Sequence, residues 1–149
     1  MAIPGVERLF VDTTVLVYAA IASAPWHAES RRLLGDLRRA GTETFVSRQV
    51  LREYLAVLTR PQTYAVLLPA AEAVNDIRDF EQRFQIAEDG PAVTLRLLQL
   101  LEEVEVGGKQ IHDANIVATM LVHGIGTVVT HNVGDFKRSA RFVEVRPAA

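Results

Sequence analysis

Four carboxylates stand where short apolar runs end or helices begin. Asp12 follows Arg8-Leu9-Phe10-Val11, and Glu53 lies in the helix after Thr44-Phe45-Val46. Asp113 sits in the first turn of a helix opening at Ile111, and Asp135 follows Thr127-Val128-Val129-Thr130. Helix starts favour carboxylates, because their free N–H groups and dipole attract negative charge. Gathered in one pocket, the four would need a cation: at an effective dielectric near 20, unit charges about 6 Å apart repel by roughly 3 kcal/mol. Oxygen donors without thiolates, in a chain that has no cysteine, point to Mg2+ or Mn2+ rather than zinc. Such ions clamp phosphate oxygens, make a nucleophile of water and stabilise a leaving oxygen. Each acid also has a plainer role. Asp12 is suited to capping a helix, Asp113 to complementing a dipole, Glu53 to a solvated helix face, and Asp135 to capping a short helix at Phe136-Lys137-Arg138.

The elements that must bring these acids together follow from apolar patterning. Strands are expected at Arg8–Val11, Thr44–Val46, Gln85–Ala87, Thr127–Thr130 and Phe142–Val145. Between them, helices are expected over Val15–Ala20, with Thr13 and Thr14 as capping types, and from Pro25 to just before Gly41. A third follows Ser47 and stops at Arg60-Pro61, a fourth spans Pro69–Phe84, and a fifth runs from Pro91 through Leu95, Leu98 and Leu101. The last spans Ile111–His123 and is closed by Gly124. Alternation of short apolar strands with helices predicts a mostly parallel sheet covered on both faces. Ligands of such sheets bind beyond the carboxyl ends of the strands, and all four acids are expected at that edge. No repeat or linker divides residues 1–149, so one compact unit is expected.

Composition narrows the function further. Net charge is −2, which provides no general attraction to nucleic acid or anionic lipid. The absence of cysteine removes disulfides, thiolate metal sites and cysteine nucleophiles, and suits a reducing cytosol. The longest apolar run, Val15–Ala22, is far short of the roughly 20 residues of a spanning helix. Glu7 and Asp12 also speak against a secretory leader there.

Taken in order, Val11-Asp12-Thr13-Thr14-Val15-Leu16, Val50-Leu51-Arg52-Glu53-Tyr54, Ile111-His112-Asp113-Ala114 and Thr130-His131-Asn132-Val133-Gly134-Asp135-Phe136 resemble a PIN domain. More narrowly they resemble the VapC-type toxins of bacterial and archaeal toxin–antitoxin pairs. The resemblance covers nearly the whole chain. It implies a three-layer α/β/α fold, Mg2+-dependent (or Mn2+-dependent) endoribonuclease activity, inhibition by a cognate antitoxin, a homodimer and a cytoplasmic location. It matches Asp12 and Asp113 to the family's main metal ligands and Glu53 to the second acid of the pocket. The fourth acid falls at Asp135 or at the position of Asn132, and Thr14 or Thr13 supplies a hydroxyl.

Other features carry less. Gly107-Gly108-Lys109 lacks the upstream glycine and preceding strand of a phosphate loop and reads as a turn, although Lys109 is close enough in sequence to Asp113 to touch RNA phosphate. His112 reads as an exposed or capping residue, with proton transfer as its sharper alternative, and His27, His123 and His131 lack triad partners. Trp26 reads as a packing residue, with base stacking as the alternative. Arg31, Arg32, Arg38 and Arg39 read as a solvated face, or else as contacts for phosphate or an acidic partner. Two rival functions remain: a non-catalytic RNA- or protein-binding module, and a metal-dependent phosphatase on a small phosphoester. Asp12-Thr13-Thr14 lacks the second Asp that an aspartyl-phosphate mechanism needs.

Overall fold

The structure is a computed structural model describing residues 4–61 and 67–149. Its first strand, β1 (Arg8–Val11), runs directly into helix α1 (Thr13–Ala20). There follow α2 (His27–Arg39), β2 (Glu43–Val46), α3 (Arg48–Leu58), α4 (Ala70–Arg83), β3 (Gln85–Ile86), α5 (Pro91–Glu103), α6 (Gln110–Val122) and β4 (Thr127–Thr130). A 3-10 helix, Val133–Ser139, leads to β5 (Glu144–Pro147).

All five strands are parallel, in the order β3-β2-β1-β4-β5. With helices packed around the sheet this is the three-layer α/β/α arrangement. Leu9, Phe10 and Val11 of the central strand are fully buried, as are Val128 and Val129 of β4, so these strands are apolar on both faces. Each such side chain contributes about 1.5–3 kcal/mol when buried. Tyr54, Ile116, Met120 and Phe136 complete the largest part of the core. The chain builds outward from β1 to β2 and β3, then returns to place β4 on the other side of β1. The crevice between β1 and β4 is therefore the switch point of the sheet, where ligands of open parallel sheets bind.

Local chemistry explains most of the boundaries. The Ser47 hydroxyl accepts a hydrogen bond from the Val50 N–H and caps α3. Gly124, with φ of +67°, ends α6, and the Arg8 guanidinium donates to the carbonyls of His123 and Gly124 while pairing with Glu43. Several expectations are corrected. Thr13 and Thr14 lie inside α1 rather than capping it, since Asp12 is its N-cap residue. Helix α2 begins at His27 rather than Pro25, because Trp26 before it has left-handed backbone geometry. The final strand starts at Glu144, not Phe142: the N–H groups of Phe142 and Val143 donate to the Ser139 carbonyl, and sheet bonding begins with Glu144 to Gly126. Helix α5 buries Val93 and Leu100, leaving Leu95 and Leu98 exposed.

Candidate active site

Asp12 lies at the switch point, one residue beyond β1, where its N–H donates to the Val129 carbonyl of β4. Asp12 is 6% exposed, and its side chain makes no capping hydrogen bond to α1. Instead Oδ2 accepts from the hydroxyls of Thr130, at 2.7 Å, and Thr14, at 3.1 Å. Burial raises the Asp12 pKa above the usual carboxylate value, and the nearby Glu53 charge adds to this. Donation from Thr130 and Thr14 and from the backbone at Thr13 acts in the opposite direction. A buried carboxylate served by two hydroxyls is thus the fixed corner of the site.

Glu53 reaches the same corner from α3. Its Oε1 accepts from the Gln49 amide at 2.9 Å, and its Oε2 lies 3.5 Å from the Thr13 hydroxyl. Gln49 also donates to the His112 carbonyl in α6 and accepts from the Asn115 amide, which in turn donates to Asp89. This network ties α3 to the start of α6, so the position of Glu53 is coupled to the helix that carries Asp113.

Asp113 is partly buried in the first turn of α6. Its pKa is pushed up to about 7, first by burial and then by the charges of Asp135, Asp12 and Glu53. Asp113 therefore senses all three other acids, although they come from separate elements. Asp135 is exposed in the first turn of the 3-10 helix. Asn132 is exposed as well, and its N–H donates to the Thr130 hydroxyl. Lys109 is the N-cap residue of α6, one turn before Asp113, and is exposed. Among the described residues, no three Asp, Glu or His side chains close tightly enough to hold an ion as they stand. The donor set nevertheless suits a hard divalent cation: oxygen donors only, converging charge, and a carboxyl group whose proton affinity is raised by burial and by that charge.

Sequence reasoning missed Thr130, Gln49 and Asn115. Gln49 stands four residues before Glu53, a spacing that places both on one helix face. Thr130 ends an apolar strand, but its bond to Asp12 depends on β4 pairing with β1. The arginine-rich face of α2 lies elsewhere: Arg31, Arg38 and Arg39, with Arg83 of α4, wall a cavity of about 680 Å3 that none of the four acids lines. His112 is exposed, His123 contacts the Glu88 carbonyl, and His27 contacts the Tyr18 carbonyl.

Comparison with known proteins bears on this geometry. The sequence profile of the PIN domain matches residues 9–141. Ribonuclease VapC48 of Mycobacterium tuberculosis is 28% identical over 129 residues, covering 85% of this chain and 88% of the relative. Among solved structures, the fold is similar to that of VapC20 of Mycobacterium tuberculosis, described as a sarcin-ricin loop cleaving toxin. The TM-score is 0.68 at 22% identity, covering 93% of this chain and 99% of the other. It is also similar to a chain of VapBC2 from Rickettsia felis, solved bound to a promoter DNA fragment. There the TM-score is 0.70 at 19% identity, with 95% and 98% of the two chains covered.

Proposed function

This chain belongs to the PIN-domain family, and from that premise we propose that it is a metal-dependent endoribonuclease, the toxin of a toxin–antitoxin pair. The observation that carries this reading is the convergence of Asp12, Glu53 and Asp135 on half-buried Asp113 at the switch point of the sheet, where burial first and then those charges raise the Asp113 pKa. Its similarity to Ribonuclease VapC48 supports RNA as the substrate.

We assign Asp12 and Asp113 as the residues that hold Mg2+ or Mn2+, with Glu53 and Asp135 completing the acidic pocket. When bound, the cation neutralises the pocket, polarises the scissile phosphate and makes water more acidic. Thr130 and Thr14 fix the Asp12 carboxylate in one orientation. Gln49 holds Glu53, which orients the attacking water. The water oxygen forms the new bond to phosphorus and the bond from phosphorus to the 3′ oxygen breaks. The attacking water gives up a proton to solvent and the departing oxygen takes one from solvent, leaving a 3′-hydroxyl and a 5′-phosphate. Thr14 is a positioning residue, as is Asn132 through the loop it begins, and Lys109 contacts phosphate beside Asp113. The whole chain acts as a single nuclease domain in the cytoplasm and forms a homodimer.

Its partner is an antitoxin, in keeping with the VapBC complexes of Rickettsia felis and Salmonella typhimurium among the structural relatives. An inhibitory segment laid across the acidic edge would place a guanidinium among the carboxylates. Incubating the protein with structured RNA and with a phosphoester dye, in Mg2+ or EDTA, tests the reading. RNA cleavage that needs the metal is the expected result. Dye turnover alone would make the protein a phosphatase, and neither activity would leave a binding module.

A further inference from the structure

We propose that Trp26, backed by His131 and Tyr18, is a stacking platform for an unpaired base of the RNA, next to the phosphate engaged by the acids. This rests on the RNA-cutting reading above and adds a binding surface to it. Trp26 is the chain's single tryptophan, and it is 50% exposed rather than packed into the core. Its backbone has φ of +54°, the only positive value at a non-glycine residue among those described. A bulky side chain rarely adopts that conformation, and strain of this kind collects at functional sites.

Three elements hold the rings together. The Trp26 and His131 rings are stacked, with centroids 5.2 Å apart and planes 7° from parallel. Tyr18 lies 5.0 Å from His131 and 6.2 Å from Trp26. The His131 Nε2 lies 2.7 Å from the hydroxyl of fully buried Ser30, which fixes the imidazole plane. The cluster is also tied to the acids. The His131 N–H donates to the Thr14 hydroxyl, and the same hydroxyl donates to Asp12 Oδ2, each at 3.1 Å. Tyr18 stands six residues beyond Asp12 along α1, a rise of about 9 Å.

Chemistry favours a base over the alternatives. The net charge of −2 gives little general attraction to RNA, so affinity must come from local contacts, and stacking adds to those made by the cation and Lys109. Glu29 lies near enough to His131 to act on it electrostatically, which disfavours a phosphate on this surface. A base carries no charge there, and every base offers a π-face to an aromatic ring.

The single tryptophan makes the platform directly observable. The wild-type protein, with Ca2+ replacing Mg2+ and RNA integrity checked on a gel, is titrated with a ten-residue oligoadenylate and with an abasic ribose-phosphate chain of the same length. Saturable quenching of Trp26 fluorescence by the first and not the second is expected. With Mg2+ and purified bacterial total RNA, Trp26→Ala should raise the apparent KM about 5- to 150-fold with little change in kcat, and Trp26→Phe should restore most of the loss. Equal quenching by both chains, quenching by neither, or an unchanged KM in Trp26→Ala would overturn the platform. So would a Trp26→Ala variant whose only defect is weaker inhibition by a protein partner. A general folding defect would instead lower kcat and melting temperature in both variants, which also counts against it. Quenching without any RNA cleavage would sink the nuclease reading and leave the platform standing, whereas cleavage with no base-dependent quenching would do the reverse.

Discussion

Asp12 and Asp113 lie at the same edge of the sheet, yet one is enclosed by hydroxyl donors and the other by negative charge. The Asp12 carboxylate accepts from Thr130 and Thr14, is nearly inaccessible, and belongs to the junction of β1 with β4. Asp113 faces the charges of Asp135, Asp12 and Glu53, and no side-chain donor serves it among the described residues. The first half of the edge is thus ordered by the protein alone. The second half is buried against mutual repulsion, which a cation would offset. Preorganisation lies on the Asp12 side and responsiveness to metal on the Asp113 side.

The largest effect expected is loss of RNA cleavage in Asp12→Asn and Asp113→Asn. Groups that merely orient metal ligands are commonly worth about 10–100-fold, so removing a ligand charge should cost more than about 100-fold. Cleavage of a defined RNA at saturating Mg2+ measures this, and near-normal turnover in either variant would remove that residue from the site. Next in size, Thr130→Val should cost about 10–100-fold in cleavage with little change in secondary structure, because Asp12 loses its shortest hydrogen bond. Thr14→Val should cost less, its bond being longer. If the order of these two is reversed, Thr14 acts on the reaction by a route other than orienting Asp12.

The dependence of stability on pH should isolate the Asp113 side through its variant. The folded-state pKa of Asp113, about 7, lies above its ordinary value of 3.8, so the folded state binds this proton more tightly than the unfolded chain. Metal-free stability should therefore fall as pH rises from about 4 to about 7, then level off. Asp12 is shifted in the same direction and adds to the decline. Asp113→Asn should make the curve shallower, leaving the Asp12 contribution, and should melt at or above the wild-type temperature in EDTA near neutral pH. Bound at 100 times its dissociation constant, Mg2+ should add about 2.7 kcal/mol to the wild type and much less to the variant. Melting well below wild type in EDTA would make Asp113 a structural cap, and an undiminished Mg2+ shift would move the metal elsewhere. The smallest contrast concerns the fourth position. Asp135→Ala should lose more cleavage than Asn132→Ala, since only the carboxylate interacts with Asp113 as a charge. Parallel rate measurements on the two variants test this.

How much of this was legible in the sequence depends on the range over which each feature is decided. The central strands carry apolar runs, and the expected bounds Arg8–Val11 and Thr127–Thr130 are those of the structure. Ser47 could be read as a cap because its hydroxyl serves an N–H only three residues away. Phe142 and Val143 read as strand on the same apolar pattern, but the competing bonds to Ser139 come from a turn that no periodicity reports. Trp26 reads as packing because an aromatic residue is usually covered. Whether it is covered depends on Tyr18 and His131, which arrive from other elements.

The sequence by itself determined that acids would stand beyond the ends of short buried strands and at the starts of helices. Those positions follow from local pattern and from the chemistry of helix ends. Only the tertiary structure decided that β4 returns to the side of β1 opposite β2, and this brings Thr130 to Asp12 and His131 to Trp26. The pairing joins residues more than a hundred positions apart. A strand's apolar pattern shows that it must be buried between neighbours, but not which neighbours they will be, because backbone hydrogen bonding is the same for every pair.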